Sequence, residues 1–230
     1  MKKLIIATAV AMTLSAAAHA DSTAVLKLKG VLTNDACTPT LSGGGTVDFG
    51  TKYTYALSPT ATNQLGNKDL TLTIACPSPT KVGWTMTDEK VDSLVTLNIE
   101  NARFDGAAIR YEPVEFGVGK TAGGIKIGAY SVAIDADNTL ADGTKSDVYI
   151  ADRASGTYEW HNKVTNDQNW SLVYGDGDQT YTVGSDMQPA AFTNAVFPLR
   201  VALAVQDTTT LAITDDTPID GQATVTLYYL

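Results

Sequence analysis

The chain has 230 residues, of which 44% are hydrophobic and 18% are charged, and its formal net charge at pH 7 is −9. This acidic balance argues against nucleic acid and anionic membrane surfaces as partners, because both repel a negatively charged protein. The length suffices for one large all-β domain or two small ones after a short leader.

The first twenty residues read as a signal peptide. Lys2 and Lys3 precede an apolar stretch, and Ala18-His19-Ala20 is typical of a signal-peptidase site. The pattern predicts that residues 1–20 are removed and that the mature, exported protein begins at Asp21. Without Lys2 and Lys3, 14 basic side chains face 25 acidic ones, which gives a net charge of −11.

Short alternating runs separated by turn residues fill the rest of the chain, and they predict an all-β fold. Many short strands at this spacing indicate a β-sandwich. No internal repeat or shift in composition divides the chain, which favours one domain. Residues 135–195 are polar and rich in glycine, and we expect hairpins and long loops inserted on one side of the sandwich. The predicted strands are Val25–Val31, Thr46–Phe49, Leu70–Ala75, Val82–Thr87, Leu94–Asn98, Lys126–Ile134, Asp147–Ile150, Val196–Val205 and Gln222–Leu230.

Two cysteines, Cys37 and Cys76, are the only ones in the chain. In an exported protein a single pair predicts a disulfide. Two free buried thiols are the alternative, and an oxidising compartment disfavours them. A metal site is disfavoured further, because His161 is the only histidine after residue 20.

The last strand of the sequence is apolar on one face and extends to the final residues. A free C-terminus normally frays unless it is tied down. An alternating strand at the very end therefore indicates that this end is built into a sheet or bound by a partner. The residues that share the apolar face are Ala223, Val225, Leu227 and Tyr229.

Five features occur in a characteristic order along the chain. Gly30 ends an alternating N-terminal run and Cys37 lies seven residues further on; Thr46–Gly50 reads Thr-Val-Asp-Phe-Gly; a strand ends in Cys76; and Tyr229 is penultimate. In this order the features resemble the pilin subunits of chaperone–usher fimbriae.

Two motifs narrow the resemblance. Ala36–Pro39 reads Ala-Cys-Thr-Pro, and Gly43–Gly50 begins with three glycines. Both resemble the enterobacterial beta-fimbria major-subunit family, which is otherwise of unknown function. Pilins usually also carry a glycine shortly before the last strand; that position here is Thr217, and the nearest glycine is Gly221.

The resemblance implies an incomplete immunoglobulin-like sandwich that lacks its last strand. Residues 33–230 would form this single domain, and residues 21–32 would be a donor strand that fills the groove of a neighbouring subunit by donor-strand complementation. The implied partners are a periplasmic pilus chaperone, an outer-membrane usher and neighbouring pilin subunits. The implied location is the periplasm and then the fimbrium at the cell surface, where the fibre would serve adhesion or biofilm attachment. No cofactor is implied.

The resemblance also assigns roles to residues. One face of the donor strand would enter the groove, and the C-terminal strand would form the groove wall, with the carboxylate of Leu230 as the anchor point of the chaperone. The donor residues are Leu26, Leu28, Gly30 and Leu32, and the wall residues are Ala223, Val225, Leu227 and Tyr229.

Two other readings stay open. The N-terminal strand could pair within its own domain, which would make the protein a self-complete periplasmic or secreted binding module. A carbohydrate surface would then include Tyr158, Trp160 and Trp170, although such aromatics also pack in cores. A hydrolase would need His161 beside a serine and an aspartate, and no G-x-S-x-G motif is present. We predict that the chain is not an enzyme.

Overall fold

The computed structural model describes residues 26–30, 36–153 and 159–230. The chain divides into two units, Met1–Asn34 and Asp35–Leu230. In the first unit, residues 26–30 have no regular secondary structure and their side chains are exposed. The predicted strand Val25–Val31 is therefore absent over its described part. An alternating pattern specifies the face that a strand would bury, but not the neighbour with which it pairs.

The second unit is nearly all β. No helix in the described part of the chain is long and apolar enough to span a membrane. The strands and the one short α-helix are β1 (Thr38–Leu41), β2 (Asn63–Thr80), β3 (Val82–Asp88), β4 (Glu115–Gly117), β5 (Gly128–Ile134), β6 (Leu140–Ala141), β7 (Thr144–Lys145), β8 (Asp147–Asp152), β9 (Glu159–Val164), β10 (Gln179–Ser185), β11 (Gln188–Pro189), β12 (Phe192–Val205), α1 (Thr208–Leu211) and β13 (Ala223–Tyr229).

Two antiparallel sheets form a sandwich, as the sequence predicted. The first sheet has the order β1-β2-β12-β5-β4, and the short β6 and β7 extend it beside β12. The second has the order β13-β3-β10-β8-β9, with β11 beside β10. The central pair of the first sheet, β2 and β12, is in register from Asn63↔Val205 to Phe192↔Thr80, with two irregularities along its length.

The core lies between the sheets and follows the alternation of the strands. Leu72 and Ile74 of β2 and Val132 and Ile134 of β5 face inward and are buried. From the second sheet, Trp84 is fully buried, and its ring lies 5.0 Å from that of Tyr181 and 5.5 Å from that of Phe197. Large inward-facing side chains of both sheets thus fill the space between them.

The outer face of the first sheet carries small residues and is covered by a loop. Ala129 and Ala133 of β5 and Ala202 and Ala204 of β12 are buried there. Four apolar side chains of residues 94–114 pack on this face, and small sheet residues let the loop approach closely. These side chains are Leu97, Ile99, Ile109 and Val114.

Two further strand predictions are wrong. Thr46–Phe49 and Leu94–Asn98 form no strand, although both segments alternate. Residues 135–195 contain hairpins as expected, and the predicted strand Asp147–Ile150 lies within β8. These residues also supply β9 and β10 and are thus part of the second sheet itself. Tertiary contacts decide these cases, since a strand forms only where a neighbour offers hydrogen-bond partners.

Candidate functional site: an apolar groove beside the C-terminal strand

The C-terminal strand β13 is at one end of the second sheet. It pairs with β3 from Ala223↔Asp88 to Tyr229↔Val82, and among the described strands it pairs with no other. In an antiparallel pair, the N–H and C=O groups of alternate residues point away from the neighbour. The outer edge of β13 therefore presents a row of backbone donors and acceptors with no strand beside it.

One face of β13 packs on the core, as predicted. Ala223, Val225 and Leu227 are partly buried against the main cluster of core residues. Tyr229 shares their side of the strand, but its side chain is 54% exposed. Three of the four predicted wall residues thus pack on the core, and Tyr229 remains largely exposed.

An apolar groove with a cavity volume of about 260 Å³ runs along this strand. Inward-facing residues of both sheets form its floor, and none of the described residues that line it is charged. The lining residues are Leu41, Gly45, Val47, Phe49, Leu70, Met86, Val118, Tyr130, Val132, Leu199, Val201, Leu203, Ile219, Gly221, Gln222, Ala223 and Val225.

The groove continues into a second cavity of about 810 Å³, with which it shares Val47, Phe49 and Ile219. Leu65, Ile127, Val205, Leu211 and Ile213 provide the apolar part of this second cavity, and polar residues of 46–57 and 215–217 border it. The two cavities together form an extended channel that is apolar where it meets β13 and is bordered by charged residues such as Asp48 and Lys52 in its second part.

The segment Thr46–Phe49 explains why the groove exists. The Val47 and Phe49 side chains pack against the core, but the backbone forms no strand. After the short β1, the first sheet consequently has no regular strand on this side. The Thr46–Gly50 motif therefore lines the groove, a role that its alternating pattern did not reveal.

The hydroxyl of Tyr229 ties the end of β13 to the chain just before β1. It accepts a hydrogen bond of 2.8 Å from the backbone N–H of Cys37. The disulfide Cys37–Cys76 is present as predicted and joins the chain just before β1 to β2. The backbone N–H of Leu230 donates to the carbonyl of Lys81 at 3.0 Å. The predicted anchor residue thus remains in the sheet.

Gly221 lies where the chain enters β13 and has no space for a side chain. A Cβ atom at this position would lie 2.9 Å from Cε1 of Tyr130 and 3.3 Å from the carbonyl oxygen of Gly117. Tyr130 cannot easily yield, because its ring stacks on Phe116 at 5.0 Å. The close approach explains why residue 221 is a glycine. Four residues earlier, Thr217 carries a side chain where pilins usually have a glycine.

Burial dominates the electrostatics of the groove. It raises the pKa of Tyr130 well above its usual value, and the nearby carboxylate of Asp88 adds to the shift. Lys90 pairs with Asp220 at 2.7 Å on the exposed margin. The interior of the groove is therefore neutral at physiological pH and suits an apolar occupant.

The predicted donor residues are exposed in their own unit. Leu26 and Leu28 are 85% and 89% exposed, and nothing lies within 4 Å of a Cβ atom built on Gly30. Leu32 lies outside the described residues. Burial of these two leucine side chains in a groove would be favourable, because it removes apolar surface from water.

The predicted aromatic surface consists of three residues, two of which are described by the structure. Tyr158 lies outside the described residues, and Trp160 is partly buried on β9. Trp170 packs against the core and meets the ring of His161 edge-on at 5.7 Å. His161 lies 3.3 Å from a carboxylate oxygen of Asp152. The surface that the sequence suggested is thus not a single described cluster.

The fold and the groove define an all-β sandwich protein with an open apolar channel beside its last strand. A family model described as "Protein of unknown function (DUF1120)" matches residues 26–131. Protein GltF of Escherichia coli (strain K12) is 34% identical, and the alignment covers all of this chain and 99% of that protein. The uncharacterized protein YhcF of the same organism is 29% identical over 99% of this chain and 98% of its own length. The chain belongs to this family of proteins of unknown function.

Proposed function

We propose that the protein is a structural subunit of a chaperone–usher fimbria, and that its groove binds the N-terminal segment, residues 21–32, of another copy. The observation that carries the proposal is the free edge of β13 beside a neutral apolar groove. An unpaired edge next to exposed core side chains favours addition of a strand, which supplies backbone hydrogen bonds and apolar side chains together.

The N-terminal segment has the chemistry that such a groove accepts. From Ala24 to Leu32 its even-numbered residues are apolar or glycine, and Lys27 and Lys29 lie between them. In an extended strand Leu26 and Leu28 would enter the groove while both lysines face solvent. Each leucine that becomes buried contributes about 1.5–3 kcal/mol. Glycine at position 30 lets the two backbones approach closely.

The proposal includes an order of partners. A periplasmic chaperone would occupy the groove first, with the carboxylate of Leu230 as its anchor, and an outer-membrane usher would exchange it for the next subunit. This order agrees with a signal peptide, an oxidised Cys37–Cys76 pair and a groove that would otherwise leave core residues exposed. The fibre would serve adhesion or biofilm attachment, without catalysis.

The test removes the donor segment and returns it as a peptide. Protein lacking residues 21–32 should be a weakly stable monomer that melts at a higher temperature when a peptide of that sequence is added, as measured by thermal melts and size-exclusion chromatography. A peptide with Leu28→Asp should fail because it would bury a charge. A peptide with Lys29→Asp should still act, since that side chain faces solvent.

A different result would contradict the proposal. If the full-length monomer is stable alone, ignores the peptide and unfolds when residues 21–32 are removed, the segment completes its own sandwich. Equal binding of the Leu28→Asp and Lys29→Asp peptides would also contradict it, because binding would then not depend on which face of the strand carries the charge.

A further inference from the structure

A second cleft lies apart from the groove and shares no lining residue with it. It has a cavity volume of about 440 Å³, within the range of roughly 300–1,000 Å³ that small-molecule sites occupy. Two loops form it, one from residues 94–114 and one from 165–174. Its lining residues are Arg103, Tyr111, Val114, Asp167, Gln168, Asn169, Trp170 and Tyr174.

Three aromatic side chains face this cleft. The rings of Tyr111 and Tyr174 meet edge to face with centroids 6.5 Å apart. Tyr111 is 49% exposed, and Trp170 is partly buried with its ring held edge-on by His161. Such rings offer flat apolar faces next to polar groups, an arrangement that suits a ligand with both kinds of surface.

Buried polar groups fix the position of both tyrosines. The carboxylate of Glu115, which is 1% exposed, accepts hydrogen bonds from the backbone N–H groups of Tyr111 at 2.8 Å and Leu97 at 2.9 Å. The hydroxyl of fully buried Tyr181 accepts from the N–H of Tyr174 at 3.2 Å and donates to the carbonyl of Leu172 at 3.0 Å. The cleft is therefore held in shape before a ligand arrives, which reduces the entropic cost of binding.

The charges of the cleft favour a neutral ligand. The guanidinium of Arg103 makes two hydrogen bonds to the carboxylate of Asp105, at 2.6 and 3.1 Å, and a third to Oδ1 of Asn169 at 2.7 Å. The same contact holds the pKa of Asp105 below its ordinary value. Asp167 adds a negative charge at the rim. Phosphate and carboxylate ligands are consequently repelled rather than attracted.

We propose that this cleft binds a neutral saccharide. A sugar ring would stack its C–H face on the exposed ring of Tyr111 and on the partly buried ring of Trp170, and its hydroxyls would bond to the side chains of Gln168 and Asn169. A pyranose combines an apolar face with hydroxyl groups, and it carries no charge to conflict with Asp167. This inference does not rest on the proposed function of the groove.

The test uses the purified full-length chain and four probes, namely lactose, cellobiose, maltose and N,N′-diacetylchitobiose. At least one probe should show saturation-transfer NMR signals at about 10 mM, tenfold above a Kd of 1 mM. Tyr111→Ala should weaken that binding about tenfold or more, because the stacking ring is lost. Tyr111→Phe should bind the same probe as tightly as the unaltered protein does. This result would show that Tyr111→Ala weakens binding by removing the aromatic ring and not by disturbing the fold.

Tyr53→Ala is the matched control, because Tyr53 is also an exposed tyrosine but does not line the cleft. It should leave binding unchanged. Absence of a signal with all four probes would overturn the proposal, as would equal weakening by Tyr53→Ala and Tyr111→Ala. Binding of choline in the absence of saccharide binding would also overturn it, since the rings would then serve a cation.

Discussion

The two faces of the first sheet differ in how fully they are covered. Its outer face is covered by the loop of residues 94–114, which is held by buried carboxylate hydrogen bonds. Its inner face opens at one side into a neutral groove beside β13. Polar anchors specify one geometry because each must keep its partners. Apolar contacts specify less, so the groove can exchange one apolar occupant for another.

The largest expected effect comes from the disulfide at the groove margin. Cys37→Ser combined with Cys76→Ser should lower the free energy of unfolding by about 4 kcal/mol, because the cysteines are 39 residues apart and their link restricts the unfolded chain. Urea unfolding of the double variant measures the loss. A loss under about 1 kcal/mol would show that the margin of the groove does not depend on this link.

The next effect concerns the closed face. Glu115→Ala should lower the free energy of unfolding by about 3 kcal/mol, since it leaves the buried N–H of Leu97 and the partly buried N–H of Tyr111 without their acceptor. Glu112→Ala is the control, because Glu112 is exposed in the same segment and should change stability by less than about 0.5 kcal/mol. Equal losses of stability in Glu115→Ala and Glu112→Ala would contradict the view that the hydrogen bonds of Glu115 anchor the loop of residues 94–114.

Gly221 tests the tight entry to β13. Gly221→Ala should destabilise the protein by about 2 kcal/mol, because the new methyl group would meet the Tyr130 ring. Gly123→Ala is matched to it, since a Cβ there has its nearest neighbour at 3.7 Å. Thermal melts compare the two, and a neutral Gly221→Ala variant would show that the segment before β13 moves freely.

The buried carboxylate also predicts a pH dependence. Burial raises the pKa of Glu115 above its ordinary value of 4.5, so the folded state binds this proton more tightly than the unfolded state does. Its contribution to stability is therefore fully present below the unfolded pKa and is lost as pH rises through the folded pKa. Relative to Glu115→Gln, the unaltered protein should gain stability as pH falls from 7 toward 4.5, by at most about 1.4 kcal/mol per pH unit.

Asp105→Asn serves as the reference for this titration. The hydrogen bond from Arg103 lowers the pKa of Asp105, so its contribution is present above its unfolded pKa and is lost as pH falls through the lower folded value. Between pH 4.5 and 7 the difference between Asp105→Asn and the unaltered protein should stay flat. If the stability of the unaltered protein relative to Glu115→Gln instead decreases as pH falls from 7 toward 4.5, the direction assigned to the pKa of Glu115 is wrong.

The smallest effect tests the end of β13. Tyr229→Phe should lower the free energy of unfolding by about 1 kcal/mol, since it removes the acceptor of the Cys37 N–H. Tyr228→Phe keeps the ring that lies 4.2 Å from the Arg153 guanidinium and should lower stability less. If both variants are equally stable, the Tyr229 hydroxyl does not hold the end of β13 against Cys37.

Two features near the groove could be predicted from the sequence. The alternation in β13 identified its core-facing residues, and two cysteines in an exported chain identified the disulfide. Both features are local or follow from composition. The aromatic cleft could not be predicted in this way, because Tyr111 and Trp170 are far apart in sequence and meet only through two folded loops.

The failures have a common cause. Thr46–Phe49 alternates like a strand yet lines the groove without pairing, and β10 forms the centre of the second sheet although its surroundings are rich in loop residues. Alternation reports which face of a segment is buried, whereas pairing depends on the neighbour that the fold supplies. Among the described strands none pairs with the outer edge of β13, and the groove runs beside that edge.

The most direct test of the central claim is amide hydrogen exchange in β13, with and without added peptide of residues 21–32. The protein is made without its own residues 21–32 and handled under conditions where it stays folded. The account predicts that alternate amides of Ala223–Tyr229, those that point away from β3, exchange fast alone and become protected with the peptide. Protection of all β13 amides before the peptide is added, or peptide binding with no change in β13, would contradict it.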